Sequence, residues 1–344
     1  MLAARREFAT FTRVLGVGIR YGLNLMARVA ENEGYMAAAA AGGRYVLTEA
    51  AKLPKLAELT VQGPGWSSGW SRIPGSNPDI LQADLQKLDL EMRTYTIDIA
   101  AFWQHVTKAG YPQLYAGGSM SHGGAREQKL VEYFVSLDLL RPTASQVAID
   151  VASEWSVFPR VVEKATGARV YRQDLVYPPG ICGDRIGGSA AHMPVPDEFA
   201  DILVLHNAYE HFEGDADRDF VHEAWRVLRP GGVVCTLPLN VAEQYHILTD
   251  PLVDRGGIVW DPGAAIVEVP MLWHNRFGRF YDVSALVRRV LTPAREAGFQ
   301  ITIYRVTNVH AVHPAAYLHF ALVLTKPRPE SPTMHNACGS TAPG

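Results

Sequence analysis

From residue 146 to residue 326, short apolar, β-branched runs alternate with stripes of helical period, and few architectures accept that alternation. A strand, an amphipathic helix and a second strand bury one another best when helices cover both faces of a parallel sheet. Val147, Ala148, Ile149 and Val151 form the first run, which ends in a turn of small residues before Pro159, where a helix can begin. ARVYRQDL, ADILVLH and VVCTLPLN read as further strands, and Val221, Ala224, Trp225 and Leu228 make a helical stripe closed by Arg229, Pro230, Gly231 and Gly232. QITIYRV and YLHFALVLTKP follow one another closely, which predicts an antiparallel pair. The expected fold class is α/β: a Rossmann-like, mostly parallel sheet with an antiparallel edge strand, plus a helical N-terminal extension.

That extension is assigned to residues 1–125, the α/β domain to 126–326 and a disordered tail, rich in proline and small residues, to 327–344. Asn77 and Pro78 make a helix start, with Leu81, Leu85 and Leu88 on one face, and a second helix is expected over Ile99 to Lys108. GGSMSHGGAREQ, residues 117–128, holds four glycines and precedes a helix with Leu130, Phe134 and Leu137 on one face. Near the start, Arg6, Arg13 and Arg20 repeat every seven residues in an otherwise apolar stretch. On a helix they form one basic stripe, suited to peripheral contact with anionic lipid or to docking on the rest of the chain. Gly16, Gly18 and Gly22 weaken a free-standing helix by roughly 1 kcal/mol each and favour docking. An Arg-rich, acid-poor leader also has the composition of an organelle presequence.

Net charge is −3, so the overall balance gives no reason to expect nucleic acid as a partner. Cys182, Cys235 and Cys338 are far apart and lack metal-ligand spacing, which suits a reducing, cytoplasmic setting. No run approaches the ~18 apolar residues of a transmembrane helix.

The chemistry concentrates at strand ends. Asp150, followed by Ala152, Ser153 and Glu154, lies where open parallel sheets present ligand sites. Asp174 ends the next strand at the spacing where nucleotide-binding βαβ units place a carboxylate on a ribose diol. Glu154 reads equally as a ligand contact or a solvated turn residue. His206 and Asn207 close a buried strand. Glu210 and His211 follow as a candidate proton-accepting pair, although the same step also serves simply to start a helix. The remaining histidines are scattered and make no metal case. Val241 to Arg279 reads as a long structureless connection, a substrate loop in which Trp260, His274, Arg276 and Tyr281, with His122 from the glycine-rich loop, face the acceptor. Arg276 and Arg279 are candidates to pair a carboxylate or phosphate on that acceptor.

In order, IDVAS, RQDL, GSAAHMPVPDEFADILVLHNAYEHF and HEAWRVLRPGGVV resemble the class I S-adenosylmethionine-dependent methyltransferases of the small-molecule, type 11-like kind, over about residues 126–326. RVLRPGG, Arg226 to Gly232, is the most specific piece. The resemblance implies S-adenosylmethionine as cofactor and a small-molecule or glycan-type acceptor bearing a hydroxyl or amine. It places Asp150, Ala152, Ser153 and Glu154 by the methionine portion, Asp174 on the ribose, Ser189 and Ala190 beside the adenine, and His206 and Asn207 on the floor near the sulfonium. The sequence departs from the pattern in three places. Ala152, Glu154 and Ser156 stand where the family usually has glycine, and Ser189 stands where it commonly has an acid. Fourteen residues between Asp174 and Ser189 leave no room for the usual second crossover helix. The altered turn equally suits a catalytically inactive methyltransferase-like module kept for binding or as a scaffold.

Overall fold

The computed structural model describes residues 74–109, 111, 125–153, 156–269 and 275–329. The basic N-terminal stripe, His122, Glu154, His274 and the tail from residue 330 lie outside the described residues.

Helix α1 (Pro78–Leu85) starts on Asn77, whose side chain accepts bonds from the Asp79 and Ile80 amides, with Pro78 supplying the preset first turn. Strand β1 (Glu91–Tyr95) follows, then α2 (Ile99–Lys108), capped by Asp98, and α3 (Ala125–Leu140). The alternating body then runs β2 (Val147–Val151), α4 (Phe158–Thr166), β3 (Arg169–Asp174), β4 (Gly180–Cys182), β5 (Arg185–Gly187), β6 (Ala200–His206), α5 (Ala216–Val227) and β7 (Leu228–Leu237). Strands β8 (His246–Thr249), β9 (Ala265–Glu268) and β10 (Gly278–Phe280) come next. A broken helix follows, α6 (Val283–Leu286), a π turn (Val287–Leu291) and α7 (Thr292–Ala297), before β11 (Gln300–Val306) and β12 (Phe320–Thr325).

Nine strands form the main sheet in the order β1-β11-β12-β7-β6-β2-β3-β5-β4. The central four, β7, β6, β2 and β3, are mutually parallel. Strand β6 shows why: Ile202, Leu203, Val204 and Leu205 are all buried, which requires cover on both faces. Ile149, Val151, Leu203 and Leu205 pack with Phe220, Val221 and Ala224 of α5. Ala148, Ile202 and Val204 pack on the opposite side with Leu130, Val131 and Val135 of α3 and Val162 of α4.

The expected antiparallel pair is present as β11 and β12, and β12 is also antiparallel to β7. That pair is not the edge, because β1 lies outside it, parallel to β11. The α/β body therefore begins before residue 126, and residues 74–125 are not a purely helical extension. Glu91, Arg93 and Thr94 are exposed, as befits an edge strand. Between Asp174 and Ser189 the crossover helix is replaced by the β4–β5 hairpin. Gly187 is required there, since a Cβ would lie 1.9 Å from the Pro178 carbonyl oxygen.

The connection from Val241 to Arg279 is not structureless, because β10, β8 and β9 form a second, three-stranded sheet. All four residues of β8 are buried. A buried ionic cluster fastens this sheet to the start of α5. Fully buried Arg279 places Nε 2.5 Å from Asp261 Oδ2 and Nη1 3.0 Å from Asp217 Oδ2, and donates to the carbonyls of Phe212 (2.8 Å) and Gly214 (2.7 Å). Arg289, from the π turn, reaches Asp217 Oδ1 at 2.7 Å, and the Tyr281 hydroxyl donates to Asp217 Oδ2 at 2.8 Å. Arg279 and Tyr281 are thus committed to the interior and do not face an acceptor. Arg276 is engaged by Glu213 at 2.6 Å and by the carbonyls of Asp254 and Gly256. Trp260 stacks on Phe277, with ring centroids 6.2 Å apart.

Candidate functional site

The chain leaves β2 toward β3 on one side, while β6 and β7 lie on the other, so strand order reverses between β2 and β6. Helices that depart to opposite faces open a crevice at the carboxyl ends of two such strands. Asp150 and His206 meet there. Asp150 is 1% exposed; its Oδ1 lies 3.4 Å from His206 Nδ1, and its Oδ2 has no hydrogen-bond partner among the described residues. His206 sits between the sheet and the helices: Nε2 is 3.0 Å from Ser136 Oγ, and the ring meets Tyr133 and Phe158 at centroid distances of 4.8 and 4.5 Å. Burial lowers its pKa, with the Asp150 carboxylate working against that. Its ring is therefore part of the packing between β6, α3 and α4.

The turn after β2 is tied to β3 by a residue that motif reading passes over. Gln173 Oε1 accepts from the Ala152 amide at 3.1 Å, its carbonyl accepts from the Ser153 amide at 2.9 Å, and its Nε2 donates to the Gly188 carbonyl at 2.5 Å. Ala152 adopts a φ of 51°, a left-handed conformation that a Cβ disfavours by about 1 kcal/mol. Ala152→Gly is expected to raise stability by about 1 kcal/mol in urea denaturation. Asp174, at the end of β3, accepts from the Val176 amide at 3.1 Å and pairs in register with Gly187. That pairing brings Ser189 and buried Ala190 close to Asp174 and the turn.

A second constellation follows β6. Asn207, at a φ of 48°, donates from Nδ2 to Glu132 Oε1 at 2.6 Å. Gln128 Nε2 reaches the same oxygen at 2.7 Å, and Lys129 Nζ lies 3.1 Å from Glu132 Oε2 and 2.8 Å from the His206 carbonyl oxygen. The Tyr317 hydroxyl donates to Asn207 Oδ1 at 3.2 Å, and its amide donates to Gln128 Oε1 at 2.7 Å. Burial pushes the Glu132 pKa up to about 7, with a smaller push from the Glu210 charge, against Lys129 and Gln128. Glu210, 8% exposed, lies on a single 3-10 turn with His211. Its Oε1 is 3.8 Å from His211 Nε2, and its Oε2 has no hydrogen-bond partner among the described residues. His211 Nδ1 lies 2.6 Å from the Phe277 carbonyl oxygen, which makes it the protonated nitrogen.

Glu210 and His211, chosen from sequence, sit on the turn three and four residues past Asn207, whereas Glu132, which bonds Asn207, and Gln128, which bonds Glu132, carry no motif. One signal was available. Gln128, Glu132 and Ser136 recur every four residues on α3 and are all buried, a polar row on the face away from Leu130, Phe134 and Leu137. No group of three or more metal-ligating side chains occurs among the described residues.

RVLRPGG earns its specificity structurally. Arg226 donates to the carbonyls of Val195 (2.8 Å) and Met193 (3.1 Å) and pairs with Asp197 (2.7 Å) and Glu223 (2.6 Å), clamping the chain that enters β6. Residues 157–236 match the methyltransferase-domain family model. Over that stretch the α/β body is similar to a methyltransferase domain. The match begins just beyond the turn that has lost its glycines. No curated protein matches the chain. Among solved structures, the 1,6-didemethyltoxoflavin-N1-methyltransferase of Burkholderia thailandensis is 14% identical, over 68% of this chain and 93% of that one, with a TM-score of 0.41. The phosphoethanolamine N-methyltransferase 1 of Haemonchus contortus is 13% identical, over 67% of this chain and 49% of that one, with a TM-score of 0.40. The methyl donor of such a domain is S-adenosylmethionine, and the residues present fit it. Asp150 offers a buried carboxylate oxygen with no hydrogen-bond partner among the described residues, and Ser189 and buried Ala190 follow closely on Gly187, which pairs with Asp174.

Proposed function

We propose that the chain transfers a methyl group from S-adenosylmethionine to a hydroxyl or amine of a small-molecule or glycan-type acceptor. The observation that carries this reading is that Asp150, at the end of β2, and Glu210, just after β6, are each buried with an oxygen that has no hydrogen-bond partner among the described residues, on the two strands between which strand order reverses. The cofactor supplies a methyl group on a sulfonium, an electrophile that needs no further activation by the protein.

The chain's own residues bind, orient and take a proton. Asp150 and the turn of Ala152, Ser153 and Glu154 hold the methionine portion, Asp174 accepts the ribose hydroxyls, and Ser189 and Ala190 border the adenine. Asn207, locked by Glu132 and Tyr317, forms the floor, with His206 fixed beneath it. Methyl transfer to a hydroxyl or protonated amine releases a proton. Glu210 and His211 are placed to take it: Glu210 Oε2 is free to accept, and His211 keeps Nε2 available because Nδ1 is held by the Phe277 carbonyl. Holding the acceptor in line contributes much of the remaining rate.

Titration calorimetry with S-adenosylhomocysteine tests the reading, with micromolar binding expected. Absence of heat and of any thermal shift would instead support a catalytically inactive binding or scaffold module, the alternative that the left-handed Ala152 favours. Asp174→Ala is expected to weaken that binding by roughly 1–3 kcal/mol, the range for losing a charged hydrogen-bond partner. Unchanged affinity would remove Asp174 from the ribose.

A further inference from the structure

We infer that Arg276 is a positioning residue for His211: its bridge to Glu213 holds the Phe277 carbonyl against Nδ1 and so keeps Nε2 as the nitrogen that takes the proton. The inference rests on the methyl-transfer reading and says how its proton acceptor is set.

His211 and the three residues after it are each met by the short segment from Arg276 to Arg279 that runs into β10. The Phe277 carbonyl oxygen lies 2.6 Å from His211 Nδ1, and Arg279 Nη1 donates to the Phe212 carbonyl at 2.8 Å. Arg276 Nε donates to Glu213 Oε1 at 2.6 Å, and Arg279 Nη2 donates to the Gly214 carbonyl at 2.7 Å. Of these contacts, the one to His211 has a chemical consequence. A neutral imidazole carries a single N–H, and the bond made by one ring nitrogen decides the state of the other. A carbonyl can only accept, so Phe277 puts the hydrogen on Nδ1 and leaves the lone pair on Nε2.

The His211 side chain is half-exposed, which lets an acceptor reach Nε2. When the acceptor's proton moves there, the acceptor keeps the bonding pair and the ring becomes an imidazolium. Its charge is then flanked by the Phe277 carbonyl on Nδ1 and by Glu210, whose Oε1 stands 3.8 Å from Nε2.

The carbonyls of Asn275 and Arg276 are spent on the Asp250 amide (2.7 Å) and the Thr249 hydroxyl (2.8 Å), which tie the segment to the end of β8 and not to the turn. Arg276 is next to the Phe277 carbonyl, and its side chain crosses to the turn. The same guanidinium holds the carbonyls of Asp254 (2.8 Å) and Gly256 (2.9 Å), so it cannot swing away without losing them. Arg279, the other arginine that crosses, lies two residues further on and is committed to Asp217 and Asp261. The Arg276–Glu213 pair is only partly buried, and such pairs add little to stability. Removing it therefore leaves the fold in place and frees the contact.

The test uses the full chain labelled with heavy nitrogen at histidine and observed by long-range proton–nitrogen correlation NMR at alkaline pH, where imidazoles are neutral. The His211 signal is identified by its loss in His211→Gln. In the parent it is expected as the Nδ1–H tautomer, with the shifts of the two ring nitrogens far apart. Arg276→Met is expected to draw those shifts together as the ring divides between tautomers, and Glu213→Gln to do the same. The double variant should go no further than either, because all three lose one interaction. Arg276→Lys keeps the charge without the planar fork and is expected to restore part of the parent pattern. Arg255→Met, which breaks the pair with Glu268 of β9, is expected to leave the signal as in the parent. All these variants are expected to bind S-adenosylhomocysteine as the parent does, which also shows that they are folded. A parent ring in the Nε2–H form, or an Arg276→Met ring indistinguishable from the parent's, overturns the inference while leaving the methyl-transfer reading intact. An equal shift in Arg255→Met also overturns it, since any loosening near the three-stranded sheet would then suffice. Failure of the parent chain to bind S-adenosylhomocysteine overturns both readings.

Discussion

Arg279→Met is expected to destabilise the protein by about 3–5 kcal/mol, the range for removing one partner of a buried ion pair. The guanidinium is fully buried between Asp217 and Asp261 and also satisfies the carbonyls of Phe212 and Gly214. Methionine fills much of the volume but leaves Asp261 with the Tyr245 hydroxyl and with Arg289 Nη2, which stands 3.8 Å away. Asp217 fares better, since Arg289 and Tyr281 still reach it. The penalty should therefore arise mostly from Asp261, and adding Asp261→Asn to Arg279→Met should recover part of it. Urea denaturation of the two single variants and the double variant measures this coupling. Additive losses would show that the pair is not the source of the effect.

The same arginine illustrates what the sequence conveys and what it hides. Strands β2, β6 and β7 and helix α5 were legible because residues such as Ile202 to Leu205, and Val221 and Ala224, are buried by the sheet and helix periods that their spacing announces. The clamp at Arg226 was legible as a motif, and the hairpin between Asp174 and Ser189 as a shortage of residues. Strand β1 was not, since Glu91, Arg93 and Thr94 carry the composition of a surface loop and become a strand only because β11 offers an open edge. Arg279 reads in the sequence as a cation for an anionic group on the acceptor because nothing local distinguishes it. Its partners lie 18 and 62 residues away in Asp261 and Asp217, and only the three-stranded sheet brings them together. In the candidate site, Glu210 and His211 were visible as adjacent acid and base. Glu132 belongs to a helix three elements earlier than β3, and its role depends on Asn207 reaching across from the end of β6.

Glu132 should also leave a signature in how stability depends on pH. Its carboxyl has a pKa raised from 4.5 to about 7 in the folded chain, chiefly by burial, so between those values the folded state keeps a proton that the unfolded state has lost. The contribution is therefore fully present below pH 4.5 and is lost as pH rises through 7. At about 1.4 kcal/mol per unit, the loss between pH 5 and pH 8 is about 2–3 kcal/mol. His105, His206 and His246, with pKa values lowered by burial, and His319, lowered to about 4, run the other way: they stabilise above their unfolded pKa and lose that contribution as pH falls. The parent chain's profile is thus a balance, and the informative quantity is its difference from Glu132→Gln. The amide cannot ionise, and its oxygen can still accept from Gln128 and Asn207, so the histidines are left in place and the carboxyl is removed from the comparison. Relative to the variant, the parent should lose about 2–3 kcal/mol of stability in urea melts between pH 5 and pH 8. A difference that stays constant across that range would mean that Glu132 is ionised throughout, with Lys129 holding the charge more firmly than burial opposes it.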